Sequence, residues 1–326
     1  MALILVTGSN GFIGSKTAQL LLDRGDEIIG IDNMNDYYDV RLKEYRLKKL
    51  QVHKSFKFIH ADIENADGLE KIFSTYKFDG IINLAARAGI RYSIENPHVY
   101  MTTNADGTLN LLEMMRKHNI NRMVLASSSS LYANQPMPFS ETLPVNTPIS
   151  PYAASKKAAE VLAYSYHYLF NFNITILRYF TVYGPAGRPD MSVFRFIKWI
   201  DEGTPIEMFG DGTQSRDFTY IDDIAEGTLK AYEATGYEII NLGGGKNPIP
   251  MNYMISKIEE YTGKKAVVIN KAFHKADVAE TWADISKADR VLNWQPKIGF
   301  DEGLKRSVEW YMENKSWIKN IILPKG

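Results

Sequence analysis

The chain has 326 residues, enough for one large α/β domain with a smaller appendage or for two domains. Its 38 basic and 38 acidic residues cancel, which disfavours a dedicated nucleic-acid-binding or membrane-surface protein. It has no cysteine, which excludes disulfides, thiolate catalysis and cysteine metal sites, and no apolar run near the ~20 residues of a membrane span. The six His are scattered without metal-ligand spacing, so no metal is expected. Met1–Gly8 lacks the basic start and long apolar run of a signal peptide, so a cytoplasmic protein is expected.

In chain order, Leu3–Val6 is a short apolar run of the kind found in buried parallel strands. Gly8, Gly11 and Gly14 follow, and a helical pattern runs from about Phe12 to Asp23 with Gly25 as its cap. Glu27–Ile31 is the next strand and ends in Asp32-Asn33. Glycines at a strand-to-helix turn let the backbone approach a pyrophosphate, which sits at the helix N-terminus. Asp32 lies where an acid binds the adenine ribose hydroxyls, and it would repel a 2′-phosphate. NAD is therefore preferred to NADP. Further strands are expected at Phe56–His60, Gly80–Leu84 and Arg122–Ala126, with helices at Thr108–His118 and Tyr152–Phe170. Ligands in open α/β sheets bind beyond the carboxyl ends of strands. Asp62, Ala85, Ala86 and the Ser127–Ser130 run fall at such ends. Asp62 reads equally as an adenine contact or as a turn cap.

Tyr152 and Lys156 stand four apart, which puts a phenol and an ammonium on one helix face. A nearby cation favours the phenolate, and a phenolate beside a sugar hydroxyl is a general base. The spacing alone proves little. Tyr45/Lys49, Tyr253/Lys257, Tyr261/Lys265 and Tyr311/Lys315 share it. What distinguishes Tyr152 is its place after a strand-end serine run and a complete dinucleotide-binding pattern.

These pieces together resemble the extended short-chain dehydrogenase/reductase family, and within it the nucleotide-sugar 4-epimerases. The resemblance rests on Gly8-x-x-Gly11-x-x-Gly14, Asp32-Asn33, Asp62-Ile63, Leu84-Ala85-Ala86, Asn104-x-x-Gly107-Thr108, Ser127–Tyr132, Ser150–Lys156 and Arg178-Tyr179-Phe180. Gly210–Thr213, Arg216-Asp217-Phe218 and Ala283–Ala288 continue it, so it covers nearly the whole chain. It implies a doubly wound Rossmann sheet with a smaller C-terminal α/β substrate lobe. The NAD domain would span 1–180 and also receive strands from about 218–242. The UDP-sugar lobe would take 181–217 and 243–326. It implies that Ser128 bonds the reacting oxygen, Tyr152 is the base, and Lys156 binds the nicotinamide ribose and lowers the Tyr152 pKa. Phe12, Ile13, Asn33, Ile63, Leu84, Asn104, Ser127, Tyr179 and Val182 join the NAD site. Phe209 would pack on uracil and Arg216 grip the diphosphate, with Asp284 and Arg290 as further candidates. Three places depart from the family pattern: Ala133, Arg87 and the stretch Phe273–Asp277.

The shared first step of these enzymes is hydride removal from C4 of a UDP-sugar while the tyrosine takes the 4-OH proton. Related dehydratases carry Asp-Glu after the catalytic Ser/Thr, and related decarboxylases a Glu. Ser129 and Ser130 stand there instead, which points to 4-epimerisation with tightly held NAD. The stretches 35–43 and 91–97, together with Phe180–Pro185 and Gly187–Met191, resemble UDP-glucuronate 4-epimerases. Thr181 with the serine run would hold the carboxylate, and Arg91 and Arg188 would add positive potential. Thr281 is small where a bulky tyrosine restricts glucose-type sites, so UDP-N-acetylglucosamine and UDP-glucose stay open as substrates. A catalytically inactive NAD-binding sensor on the same fold is the alternative of another class.

Later helices are expected at Phe194–Gly203, Asp222–Thr235, Met251–Thr262 and Glu302–Asn314, and strands at Glu238–Leu242 and Ala266–Asn270. Tyr152–Phe170 is apolar over more than one stripe. One face must pack on the sheet. By the resemblance, another pairs with a helix at about 105–118 to form a homodimer.

Overall fold

In the computed structural model, which describes residues 1–246, 248–272 and 280–324, seven parallel strands form one sheet. They are β1 (Leu3–Thr7), β2 (Glu27–Asp32), β3 (Phe56–His60), β4 (Gly80–Asn83), β5 (Arg122–Ser128), β6 (Asn173–Tyr179) and β7 (Tyr237–Leu242). Their spatial order is β7-β6-β5-β4-β1-β2-β3. The order reverses between β1 and β4, which places a crevice outside their carboxyl ends.

Alternation along each strand feeds both faces of the sheet. Ile4 and Val6 join one buried cluster with the helices Phe12–Arg24 and Ile221–Glu233. Leu5 joins a second cluster with Gly107–Lys117 and Pro151–Phe170. Val124 and Leu177 face the first cluster, while Met123, Leu125, Ile174 and Ile176 face the second. A strand buried on both faces has no polar side, so these strands read as continuous apolar runs.

The sequence reading names no strand over Asn173–Tyr179, although this strand joins β5 to β7. Within 218–242, only Tyr237–Leu242 enters the large sheet. Phe218–Tyr220 pairs instead with Thr181–Tyr183, in parallel. The helix expected at Thr108–His118 begins at Gly107, and a π-helical turn over Met101–Asp106 precedes it. The smaller lobe pairs Ile206–Phe209 with Val268–Lys271 and carries the helices Ser192–Glu202, Met251–Thr262 and Phe300–Glu313.

Candidate active site

A cleft of about 1040 Å³ opens at the carboxyl ends of the strands and runs between sheet and smaller lobe. It is far larger than a packing defect and falls within the range of small-molecule sites or just above it.

Its cofactor-sized end begins at the first turn. Gly8 has φ +64°, and a Cβ there would stand 2.8 Å from the Ala85 nitrogen. A Cβ on Gly14 would stand 2.1 Å from the Gly8 carbonyl oxygen. Gly11 is the N-cap of the Phe12–Arg24 helix and supplies no capping side chain. The first-turn N–H groups of that helix are thus offered to an anion rather than to a cap. At the end of β2, Asp32 is buried, and its Oδ1 accepts from the Met34 N–H at 2.8 Å and the Lys43 ammonium at 3.1 Å. The Asn33 amide donates to Asp62 at 2.8 Å, and the same carboxylate caps Glu64 N–H at 2.9 Å, so Asp62 is both a turn cap and part of the cleft wall. A glycine cradle, an uncapped helix start and a strand-end acid fit the pyrophosphate and ribose of a dinucleotide.

The chemical centre is built by two elements. Ser150 caps the Pro151–Phe170 helix, its hydroxyl accepting from Ala153 N–H at 3.2 Å, and Pro151 fits the first turn. Tyr152 and Lys156 lie within the first two turns and both line the cleft. None of the other four Tyr/Lys pairs does. Two of them make local contacts instead, with Lys49 over Tyr45 and Lys257 over Tyr253. Ser128 ends β5 and lines the same cleft as Tyr152, where its side chain favours the phenolate. The Tyr152 ring packs edge-on to Tyr100, with centroids 6.0 Å apart.

Burial pushes Tyr152 above its ordinary value; the Ser128 side chain and the Arg188 charge oppose this. Lys156 donates to the Ala126 carbonyl at 2.8 Å, and burial pushes its own pKa down to about 8 against the pull of Glu160. In the protein alone, Arg188 is a cation whose charge favours the phenolate. Arg188 is itself held by Asp190, with Nε at 3.0 Å from Oδ1 and a second bond from Nη2 to Oδ2.

Other candidate residues divide clearly. Phe12, Ile13, Ile63, Leu84, Ala85, Ala86, Arg91, Ser127, Ser129, Tyr179, Thr181, Val182, Arg188, Phe209, Arg216 and Thr281 all line the cleft. Arg91 lies over the Phe209 ring at 4.2 Å, bridging the two sides. The Thr281 hydroxyl accepts from Asp217 N–H at 3.2 Å. Asn104 and Asp284 are not on the wall. The Asn104 amide instead clamps the Arg87 backbone, at 2.8 and 3.0 Å, and donates to the Ser155 hydroxyl at 2.9 Å. The Asp284 carboxylate accepts the Ser286 N–H at 2.9 Å, the cap its sequence context allowed. Two further hydroxyls are turned elsewhere: Ser127 donates to Glu160 at 2.7 Å, and the Tyr179 phenol bonds Thr228 at 2.8 Å. Phe273–Asp277 lies outside the described residues.

Sequence reasoning missed Lys43, Asp190, Arg195 and Trp199, all on the cleft wall. Lys43 and Asp190 sit inside stretches already singled out, but their partners are distant in sequence or geometry, and no spacing rule reveals them. Arg195 stacks over Trp199 at 4.6 Å from a helix that reads simply as amphipathic. No group of acids and histidines able to hold a metal occurs among the described residues.

Comparison with known proteins follows the same lines. A profile of the family described as GDP-mannose 4,6 dehydratase matches residues 5–307. A UDP-glucuronate 4-epimerase of Thermodesulfobacterium geofontis is 58% identical over 98% of this chain and 99% of its own. The crystal structure of a UDP-glucuronic acid 4-epimerase from Bacillus cereus, in complex with UDP-glucuronic acid and NAD, superposes with TM-score 0.89 at 38% identity, covering 96% of this chain and 99% of that one. A UDP-N-acetylglucosamine 4-epimerase from Methanobrevibacter ruminantium is also similar, with TM-score 0.87 at 30% identity over 96% and 99% of the two chains.

Proposed function

The chain belongs to the GDP-mannose 4,6 dehydratase family, and we propose that it acts there as a NAD-dependent UDP-sugar 4-epimerase with UDP-glucuronate as its preferred substrate. The observation that carries this reading is that Ser128 and Tyr152 share the cleft wall, with Ser129 and Ser130 rather than carboxylates following Ser128 there. A dehydratase must remove a proton and expel water next to the oxidised carbon, and needs an acid and a base beside the tyrosine. Ser129 and Ser130 offer neither.

In this reading Ser128 holds the 4-oxygen, and Tyr152 as phenolate takes the 4-OH proton. NAD, when bound, supplies the hydride acceptor at C4 and the hydride's return. Gly8, Gly11 and Gly14 would hold its pyrophosphate and Asp32 its adenine ribose. Lys156 would hold the nicotinamide ribose. Once the ring presents its other face, Tyr152 returns the proton to the 4-oxygen and C4 is inverted.

Choice of sugar rests on the groups around that centre. Ser129, Ser130 and Thr181 offer hydroxyls to a C5 carboxylate, and Arg188 adds potential that Asp190 partly offsets. A 4-keto uronate is a β-keto acid. Hydroxyls and a neutralised arginine can hold its carboxylate without forcing it through a strong ion pair. Phe209 and Arg216 are assigned to uracil and diphosphate, the latter because a guanidinium bonds phosphate in bidentate fashion. The division into an NAD domain and a UDP-sugar lobe follows these assignments, as does a cytoplasmic setting where both ligands occur.

A homodimer belongs to the same reading. Val161, Tyr164, Tyr168 and Leu169 are 53%, 52%, 74% and 64% exposed along one side of the Pro151–Phe170 helix. Such a stripe on a helix already packed on the sheet calls for a second subunit.

The test incubates the purified protein separately with UDP-glucuronate, UDP-N-acetylglucosamine and UDP-glucose and follows product by proton NMR. UDP-galacturonate should form fastest, without accumulation of NADH. Turnover of UDP-N-acetylglucosamine alone would move the specificity to the amino sugar. Bound NAD with no turnover of any of the three would favour the sensor.

A further inference from the structure

The Ser128–Ser130 segment carries the hydroxyls on which the proposed chemistry depends, yet both of its ends are tied outside the cleft. Before it, the Ser127 hydroxyl donates to Glu160 Oε1 at 2.7 Å. After it, Arg178 Nη1 donates to the Tyr132 phenol at 2.7 Å. Glu160 and Arg178 are themselves paired by two bonds, Nε to Oε1 at 2.9 Å and Nη2 to Oε2 at 2.8 Å. Both residues are 1% exposed, so this pair is fully removed from water.

The elements involved are the ones that carry the site. Glu160 stands one turn beyond Lys156 and two beyond Tyr152 on the same helix. Arg178 lies on β6, directly opposite Ser127 in the β5–β6 register. Tyr132 passes the connection to Asn241 on β7 at 2.8 Å. One buried ion pair thus joins the base-bearing helix to the strand before the serine run and to the turn after it.

A buried ion pair contributes little net stability, because desolvation consumes most of the attraction. Apolar groups of similar volume would fill this space as well or better. What they could not do is hold two hydroxyls at fixed points. Burial pushes the Glu160 carboxyl up, but the Arg178 bonds and charge outweigh it and hold it ionised at neutral pH. Lys157 also faces it at 3.6 Å, and Lys156 feels its charge.

We propose that the Glu160–Arg178 pair is a positioning device for catalysis, fixing both ends of the Ser128–Ser130 segment in register with Tyr152. The role rests on the epimerase reading. A misplacement on the order of 1 Å at a reacting group can cost up to about 100-fold in rate, which is the scale on which such a device acts.

The test uses two variants of the full-length NAD-bound protein. Ser127→Ala/Tyr132→Phe removes both tethers and leaves the ion pair. Glu160→Leu/Arg178→Met removes the pair without leaving a lone buried charge. In each, kcat for UDP-glucuronate should fall at least about tenfold, while KM stays within about threefold and bound NAD is unchanged. A merely structural role would leave kcat near wild type in the variants that fold. If Glu160→Leu/Arg178→Met does not fold, the tether variant decides alone, and wild-type kcat in it overturns the proposal. A crystal structure of the tether variant is independent of substrate. It should show Ser128 displaced from Tyr152, and an unmoved segment overturns the proposal. Wild-type protein that does not turn over UDP-glucuronate defeats the substrate reading alone, with that crystal structure still deciding the positioning role.

Discussion

Tyr152 faces two opposing demands. Burial raises its pKa, which disfavours the phenolate, but the same burial makes that phenolate a stronger base once formed. Ser128 and Arg188 supply part of what offsets the penalty. Replacing Tyr152 by Phe should lower kcat at least ~100-fold with bound NAD retained, measured by turnover and by the absorbance of the extracted cofactor. Near-wild-type turnover would remove Tyr152 from the reaction. Lys156 sets a pH limit with a definite sign. With a pKa lowered to about 8, it is an ammonium below that value and loses its charge as pH rises through it. Ribose binding, the role proposed for Lys156, needs the charge. Turnover should therefore decline above about pH 8, and in Lys156→Met the remaining low activity should lose that alkaline limb. A rate that climbs steadily past this range in the wild-type protein would contradict the assignment. That Tyr152 and Lys156 share the cleft was legible because their spacing is local: the two are one helical turn apart. The Arg188–Asp190 clamp was not, because nothing in two nearby charges announces that one of them acts on a phenol from another element. Nor does the spacing announce that the Lys156 ammonium donates to the Ala126 carbonyl on β5.

At the scale of elements, the first strand, turn and helix were legible nearly residue by residue. A short apolar run, three glycines and an amphipathic stretch each state their own conformation, and the strand-end acid follows at the expected distance. The edge of this clarity lies at β6. Asn173–Tyr179 mixes polar and apolar residues, with Thr175 and Arg178 buried on opposite faces of the strand, so the run does not stand out as apolar. The π-helical turn over Met101–Asp106, which packs against the Tyr152 helix, was likewise not announced by the sequence. The glycine turn makes its own prediction. A Cβ on Gly14 would stand 2.1 Å from the Gly8 oxygen, a backbone atom that cannot swing aside. Gly14→Ala must therefore displace the turn from the helix start. The variant should be purified with most of its NAD lost, read from extracted nucleotide per chain. Full NAD occupancy would show that this turn is not what holds the pyrophosphate.

At the scale of the molecule, a doubly wound sheet with its ligands beyond the strand ends was legible from the order in which the elements are strung together, and the family from their motifs, whereas the place of β6 between β5 and β7 was not. What the string cannot state is which surfaces remain uncovered. The Pro151–Phe170 helix illustrates the difficulty, since its sequence is apolar on more than one side and only the fold separates them. Ala159 and Ala163 are buried against the sheet, whereas Val161, Tyr164 and Tyr168 face outward. The first set explains the monomer and the second does not. An interface on this face would also brace the helix whose first turns carry Tyr152 and Lys156, so assembly and catalysis would share one element. Wild-type protein should therefore have twice the 37.0 kDa chain mass by light scattering. Tyr164→Glu/Tyr168→Glu places like charges across a two-fold contact, where they would be desolvated and mutually repelled. That variant should run at the mass of one chain, with its fold intact by circular dichroism. An unchanged mass in the variant, or a wild-type protein already at one chain, would show that the outward stripe serves something other than self-association.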